Sequence, residues 1–143
     1  MSGPATTAGM AGRPRPRPSE VSESFWAATL DNQFQFQHCQ SCDESIFYPR
    51  VNCSACGSVD LETTNASGRG TVYTYTVARR ATHRGFSEVV PYVIAIVELE
   101  EGPHVTTNIV DCDPDTVSIG MDVEVVFEPA IDGSAIPLFR PAL

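Results

Sequence analysis

The sequence predicts an all-β protein with one short N-terminal helix, in which a four-cysteine ribbon is followed by a five-stranded barrel. Two observations lead to this fold. Four of the five cysteines form two C-x2-C pairs between Cys39 and Cys56, a spacing that supplies four thiolates to one tetrahedral metal ion. From Gly70 onward, short runs of β-branched and aromatic residues alternate with turn residues, which is typical of a small barrel.

Residues 1–18 precede the predicted fold and end in Arg-Pro-Arg-Pro-Arg-Pro. Alternating proline excludes helix and favours an extended polyproline conformation, so we expect a disordered arm. The arm could dock on an acidic partner or in a proline-binding groove, or it could be a solvated tail. Residues 1–12 lack the apolar run of a signal peptide, and no stretch is long and apolar enough to span a membrane. We therefore expect a cytoplasmic protein with no membrane partner.

Residues 19–33 are predicted to form the helix, with Ser19 as a candidate N-cap residue. The apolar side chains of this helix point in two directions, because Trp26 and Leu30 lie on a face different from that of Phe25. One face could pack on the rest of the chain and the other on a partner. The alternative is that Trp26 is an ordinary core residue.

Residues 34–66 form the predicted ribbon, which holds one structural metal ion. Zinc is the expected ion, although iron in the same thiolate cage is compatible with the ligand type. Disulfides or unpaired core cysteines are the alternatives, and disulfides require an oxidising compartment. His38 is expected at the surface, because four cysteines already complete a closed site. The predicted metal ligands are Cys39, Cys42, Cys53 and Cys56.

Residues 67–143 form the predicted barrel, entered through a linker at residues 63–70. Five strands with a long loop between the first two suit a closed Greek-key barrel of the OB type, and an open sandwich of the same strands is the alternative. The predicted strands cover residues 71–77, 89–100, 104–110, 122–127 and 135–139.

The charge distribution argues against nucleic acid as a partner. The chain has a formal charge of −9, and all 18 acidic residues lie from Glu20 onward. Residues 19–143 contain six arginines against these 18 acids, a net charge of −12 that should repel phosphate. Single-stranded nucleic-acid binding stays open as an alternative, because Tyr73 and Tyr75 could stack on bases.

One segment, just after the first predicted barrel strand, is basic although residues 19–143 as a whole are acidic. Arginine binds planar anions through two hydrogen bonds, so this segment could hold a phosphorylated ligand or an acidic partner surface. A loop that is merely well solvated is the alternative. With Trp26 of the helix, the predicted ligand or partner contacts are Arg79, Arg80, His83, Arg84 and Phe86, of which Phe86 is expected to be a mobile aromatic tip.

No catalytic group of residues is evident in the sequence. Cys112 has no partner nearby in the chain and is expected to be a free thiol and a weak nucleophile. The acidic turn around it lacks the glycine and the final glutamate of a calcium loop. We therefore assign no catalytic residue to this chain.

The order of these motifs resembles the domain of unknown function 35 family over about residues 25–140. Members of this family join a rubredoxin-like zinc ribbon to an OB-fold and are associated with acyl-CoA. The matching segments are Phe25-Trp26, the four cysteines, Gly68 to Gly70, Pro91-Tyr92, Glu100-Glu101-Gly102 and Ile119-Gly120-Met121.

The resemblance implies an accessory subunit of a thiolase-like acyl-CoA enzyme, either a retro-aldolase or a thiolase, with steroid side-chain degradation as one setting. The catalytic residues would belong to the large subunit. This chain would bind one structural zinc, stabilise its partner in a heterodimer or a dimer of heterodimers, and help to form the acyl-CoA site. A nucleic-acid-binding protein and a self-standing metalloenzyme or electron carrier are the competing interpretations.

Overall fold

The computed structural model describes residues 16–81, 83–129 and 134–142. Residues 1–15 of the predicted arm lie outside these ranges. Within them no helix has the length and apolar character needed to cross a membrane. The described chain contains helix α1 (Glu23–Thr29) and strands β1 (Gln35–Cys39), β2 (Ser45–Ile46), β3 (Leu61–Asn65), β4 (Arg69–Ala78), β5 (Tyr92–Leu99), β6 (His104–Ile109), β7 (Asp122–Phe127) and β8 (Pro137–Pro141).

The strands form two sheets, as the sequence predicts. Strands β1–β3 form an antiparallel sheet in the order β2-β1-β3, and β4–β8 form a closed barrel in the order β4-β5-β6-β8-β7. Pairing of β4 with β7 closes the barrel. A last strand inserted between the third and fourth is the Greek-key arrangement of an OB-fold. The predicted fold class is confirmed, and the sandwich alternative is excluded.

The predicted linker at residues 63–70 is wrong at both ends. Strand β3 continues to Asn65 and pairs with β1 along its whole length, and β4 already begins at Arg69. The sequence of β3 shows no apolar alternation because most of its side chains are exposed. Its place in the sheet depends on backbone pairing with β1, which a hydrophobic pattern does not report.

Helix α1 is shorter than the predicted run. Ser22, not Ser19, is the N-cap residue, and the Ser19 N–H donates to the Ser22 hydroxyl at 2.8 Å. The helix ends at Thr29, and a left-handed Asn32 with a φ of 58° closes the turn that follows it. There the N–H of Gln33 donates to the Ala28 carbonyl and that of Asn32 to the Thr29 carbonyl, which is the Schellman arrangement.

Two glycines at the start of β4, one just before the strand and one inside it, have separate backbone roles. Gly68 has a φ of 84°, a conformation that other residues adopt with strain. A Cβ atom at Gly70 would lie 2.5 Å from the Glu98 carbonyl oxygen of β5. Gly70 therefore permits the close approach of β5 to the segment of β4 that pairs with both β5 and β7.

A group of phenylalanine rings joins the helix, the ribbon and the barrel. The Phe34 ring lies 5.8 Å from Phe25 of α1, 5.2 Å from Phe47 of the ribbon and 6.0 Å from Phe139 of β8, measured between ring centroids. Phe25 and Phe34 belong to the same buried core as the inward-facing valines of the barrel. Each such ring pair contributes about 0.5–1.5 kcal/mol beyond its buried area, so these contacts fix the ribbon on the barrel.

Two hydrogen bonds reinforce this junction. The fully buried Thr29 hydroxyl of α1 accepts the N–H of Ala135 at 3.0 Å and donates to the Trp26 carbonyl. The Tyr48 hydroxyl of the ribbon accepts the N–H of Thr106 in β6 at 3.1 Å. Both bonds satisfy backbone groups of the barrel with side chains from outside it.

We predict that Thr29→Val lowers the free energy of unfolding by about 1–3 kcal/mol, because the buried N–H of Ala135 loses its acceptor. Thr29→Ser is the matched control, since it keeps the hydroxyl and should cost less. Denaturant titration of the metal-loaded protein measures both variants. Equal losses in the two variants would assign the effect to packing and contradict this explanation.

Candidate metal centre and contact surfaces

The four cysteines lie on two turns of the same construction. In the first turn, the N–H of Asp43 donates to the Cys39 carbonyl at 2.9 Å, and Asp43 has a φ of 65°. In the second, the N–H of Gly57 donates to the Cys53 carbonyl at 2.9 Å, and Gly57 has a φ of 82°. Glycine adopts this conformation freely, and aspartate tolerates it better than most residues. Each turn therefore presents its two thiols in the same way.

The sulfur atoms of the four cysteines all lie within 4.8 Å of one another. Cys39 Sγ is 3.6 Å from Cys56 Sγ, and Cys42 Sγ is 3.7 Å from Cys53 Sγ. Thiolates bound to zinc at about 2.3 Å on a tetrahedron are about 3.8 Å apart. The two measured separations match this distance, so the cluster fits a tetrahedral zinc ion. All four cysteines are free thiols, so the disulfide alternative is not supported.

The electrostatics of the cluster favour a bound cation. Burial raises the pKa of the Cys53 thiol, but backbone N–H groups of Cys56 and Ala55 stabilise its thiolate and bring the pKa down to about 7. The backbone of Glu44 favours the Cys42 thiolate, but burial and the neighbouring thiols outweigh it and raise the pKa of Cys42 to about 12. Thiols this close can all ionise only when a cation balances their charge.

The metal end of the ribbon has a very small apolar core. This core consists of Cys39, Cys53 and Ile46, with Leu61 packed against it. His38 lies outside the thiol group, and its Nε2 is 3.2 Å from a carboxylate oxygen of Asp43. A structural zinc contributes apparent folding energies of about 10–16 kcal/mol in small zinc peptides, which is the stabilisation that such a core lacks.

The predicted basic loop is exposed to solvent. Arg79 lies 3.5 Å from a carboxylate oxygen of Asp115, but both side chains are mostly exposed, so this ion pair stabilises little. Arg80 and Arg84 are also exposed. His83 Nδ1 accepts the backbone N–H two residues along the chain and thereby caps a short 3-10 turn. The guanidinium groups are thus available to an anion.

Phe86 is packed in this structure rather than placed as a projecting tip. Its ring stacks on Tyr92 with a centroid distance of 5.4 Å and an interplanar angle of 26°. The His83 ring approaches Phe86 edge-on at 6.3 Å. Tyr92 opens β5 and presents a flat ring to the loop. The basic loop is therefore held against the barrel by its aromatic residue.

Trp26 borders a cleft of about 330 Å³ between the helix, the ribbon and the barrel, here called the aromatic cleft. Its walls include Phe25 and Trp26 of α1, Tyr48 after β2, Val105 of β6 and Pro137 of β8. No local pattern predicts this cleft, because three distant segments form it. Trp26 is partly buried and packs against the main core, so its role as a partner contact stays a prediction.

Cys112 is separate from the thiol cluster. Burial raises the pKa of its thiol, and the nearby Thr116 side chain opposes this shift only in part. The thiolate is the reactive form, so Cys112 has little nucleophilic character at neutral pH.

These features define a zinc ribbon joined to an OB-fold barrel. Residues 26–62 match the family described as "ChsH2, rubredoxin-like zinc ribbon domain", and residues 63–128 match "ChsH2, C-terminal OB-fold domain". The chain belongs to this ChsH2 group of the DUF35 family, which confirms the resemblance seen in its motif order. The predicted limits of the ribbon, 34–66, and of the barrel, 67–143, stay predictions.

Two curated relatives and one solved structure share most of this chain. It is 37% identical over 131 residues to the probable enoyl-CoA hydratase alpha subunit of Thermomonospora curvata, covering 92% of this chain and 40% of the relative. It is 33% identical over 114 residues to the 3-oxo-4,17-pregnadiene-20-carboxyl-CoA hydratase alpha subunit of Mycobacterium tuberculosis, covering 79% and 35%. The chain thus spans less than half the length of both relatives. The structure titled Ltp2-ChsH2(DUF35) aldolase aligns with a TM-score of 0.79 and 36% identity over 90% of this chain and 100% of that one.

We predict that Cys39→Ser or Cys56→Ser removes the bound metal and most of the soluble folded protein, because the ribbon has little other core. Cys112→Ser is the matched control and should keep one metal ion per chain. Elemental analysis and sizing of each purified variant measure the result.

The identity of the metal is tested in the same samples. A colourless protein with one zinc per chain is expected, whereas a red, redox-active protein would identify iron. A Cys39→Ser variant that stays folded without metal would contradict the structural role of the cluster.

Proposed function

We propose that this chain is the accessory subunit of a thiolase-like acyl-CoA enzyme, in which it stabilises a catalytic large subunit and helps to form the acyl-CoA site. The observation that carries the proposal is the match to the Ltp2-ChsH2(DUF35) aldolase, which spans the whole of that chain. Both curated relatives are named as alpha subunits of hydratases, and their names specify CoA thioesters. A subunit of a CoA-ester enzyme is therefore the class of function that these relatives support.

The proposed reaction is aldol cleavage of an acyl-CoA ester, with thiolysis as the alternative. Aldol cleavage is favoured because the matched structure is named an aldolase. A steroid-derived acyl group is the proposed substrate class, since one relative is named for a pregnadiene-carboxyl-CoA. The catalytic residues are assigned to the large subunit, in a heterodimer or a dimer of heterodimers.

The proposed role of the four cysteines is to hold one structural zinc ion. Their sulfur separations of 3.6 and 3.7 Å support this assignment. Four thiolates complete a tetrahedral site and leave no position for water, so the ion would not take part in the reaction. Its function would be to keep the ribbon in one conformation for the partner.

The proposed contact surface for the large subunit is the exposed side of α1. Leu30, directly after the helix, is 46% exposed, and the partly buried Trp26 lies about one turn before it. Apolar side chains at the edge of a domain are typical of interfaces, where aromatic residues contribute most of the binding energy. Trp26 is therefore proposed as a partner contact.

The proposed contact for the phosphate groups of acyl-CoA is the basic loop. The exposed pair between Arg79 and Asp115 can exchange for a phosphate at little cost, because a bidentate arginine–phosphate contact is stronger. A groove on the barrel, about 620 Å³, is lined by the acidic residues Glu98, Glu100 and Asp122 against one arginine, Arg69, and its net negative charge would repel phosphate. The same acidic groove disfavours nucleic acid, which is not proposed as a second function.

We predict that co-expression with the thiolase-like large subunit yields a stable complex that cleaves acyl-CoA esters, and that the large subunit alone is less stable and less active. Size-exclusion chromatography and an acyl-CoA cleavage assay measure both properties. An unchanged activity of the large subunit on addition of this chain, with no complex, would overturn the proposal.

We predict that the triple variant Arg79→Gln, Arg80→Gln, Arg84→Gln raises the KM of the complex for acyl-CoA by at least about tenfold while kcat changes little, because charged hydrogen bonds to phosphate are lost. Arg50→Gln is the matched control, since Arg50 lies in the ribbon and its Nε donates to the Asn52 carbonyl. Weakened assembly with an unchanged KM would assign the loop to the partner interface instead.

A further inference from the structure

The two turns that carry the thiols are also joined by a hydrogen bond between side chains. The hydroxyl oxygen of Ser41, in the first turn, lies 2.8 Å from that of Ser58, which directly follows the second turn. This distance is typical of a hydrogen bond between two hydroxyl groups, and the contact is here called the serine bridge. Its two residues are 17 positions apart in the sequence, so the bridge forms only when both turns are in place.

The Ser58 end of the serine bridge is held by further hydrogen bonds. The Ser58 hydroxyl accepts the N–H of Asp60 at 3.1 Å, and the Ser58 carbonyl accepts the N–H of Cys53 at 2.7 Å. The carbonyl of Asp60 in turn accepts the N–H of Gln40, the neighbour of Ser41, at 2.9 Å. Ser58 is therefore bonded to the second turn through its backbone and to the first turn through its side chain.

The four thiols differ in their exposure to solvent. The first cysteine of each pair is buried and the second is exposed, so water and competing ligands reach the second more easily. Cys42 is one of the exposed cysteines, it follows Ser41 directly, and its sulfur lies 3.7 Å from that of Cys53. Because Ser58 is bonded to the backbone of Cys53, moving Cys42 out of the thiol cluster also stretches the serine bridge.

We propose that the serine bridge keeps Cys42 in the thiol cluster and slows the release of the zinc ion, without changing which thiolates bind it. The proposal rests on the structural zinc proposed above and adds Ser41 and Ser58 as positioning residues. Hydrogen-bond partners outside the ligand set hold metal ligands in place, and their loss weakens metal binding. A neutral hydrogen bond of ordinary strength changes such a rate by about two- to tenfold.

The test measures the rate at which the zinc-loaded full chain releases its metal to an excess of the chromogenic chelator pyridylazoresorcinol. Ser41→Ala is expected to release zinc about two- to tenfold faster than the unaltered chain, because the serine bridge is lost. Ser41→Thr keeps a hydroxyl group and should restore slow release. Ser54→Ala is the matched control, since Ser54 is an exposed serine between the cysteines of the second turn, and it should leave the rate unchanged.

A double-mutant cycle shows whether the two hydroxyl groups act through each other. In a Ser58→Ala background, Ser41→Ala should have no further effect on the release rate, because its partner is already absent. Equal acceleration by Ser41→Ala in both backgrounds would overturn the proposal. Release from Ser41→Ala at the rate of the Ser54→Ala control would overturn it as well.

Cobalt substitution separates metal release from a change in the ligand set. With Co²⁺ in place of zinc, the unaltered chain and Ser41→Ala should show the same absorption spectrum of a tetrahedral four-thiolate site. A changed spectrum in Ser41→Ala would show altered coordination and would overturn a role limited to release. An unaltered chain that binds no metal would overturn the zinc assignment itself, whereas one zinc per chain with equal release rates in all variants would overturn the serine bridge alone.

Discussion

The metal end of the ribbon depends on four thiols held together by a cation, because it has almost no apolar core. Beyond the thiols, its buried core contains Ile46, with Leu61 at its side. The opposite end of the ribbon is fixed by different physics, since Phe34 and Phe47 pack on Phe25 of α1 and belong to the large core of the barrel. The two ends of the ribbon are therefore stabilised in different ways, one by the thiol cluster and the other by aromatic packing on the helix and the barrel.

The sequence predicts the parts of this fold whose signals are local. The spacing of the cysteine pairs is enough to predict a metal site. Strand β7 is predicted at residues 122–127 because its apolar residues alternate and a turn precedes it. Strand β3 was missed since most of its side chains are exposed and its position depends on pairing with β1. The end of α1 was placed too late because the left-handed Asn32 has no distinctive sequence pattern around it.

The candidate contact surfaces likewise differ in whether a local sequence pattern reveals them. The basic loop is visible in the sequence since its arginines are close together in the chain. The aromatic cleft is not, because Tyr48 meets Thr106 and Thr29 meets Ala135 across long stretches of sequence. The sequence does not show whether an aromatic side chain is buried or exposed. Only the folded structure shows that Phe34 is 2% exposed and Tyr48 is 52% exposed. Long-range packing thus decides which apolar residues are available to a ligand.

The bond between Tyr48 and Thr106 also bears on how this protein avoids self-association. Strand β6 pairs with β8 through a single residue pair, Ile109 and Phe139, so the barrel has a weak seam there. Free N–H groups on such a strand edge can template pairing with another chain, and the Tyr48 hydroxyl occupies the one at Thr106. Tyr48 belongs to the end of the ribbon that aromatic packing fixes on the barrel. The contact that joins the ribbon to the barrel thus also blocks an edge on which another copy of the chain could add a strand.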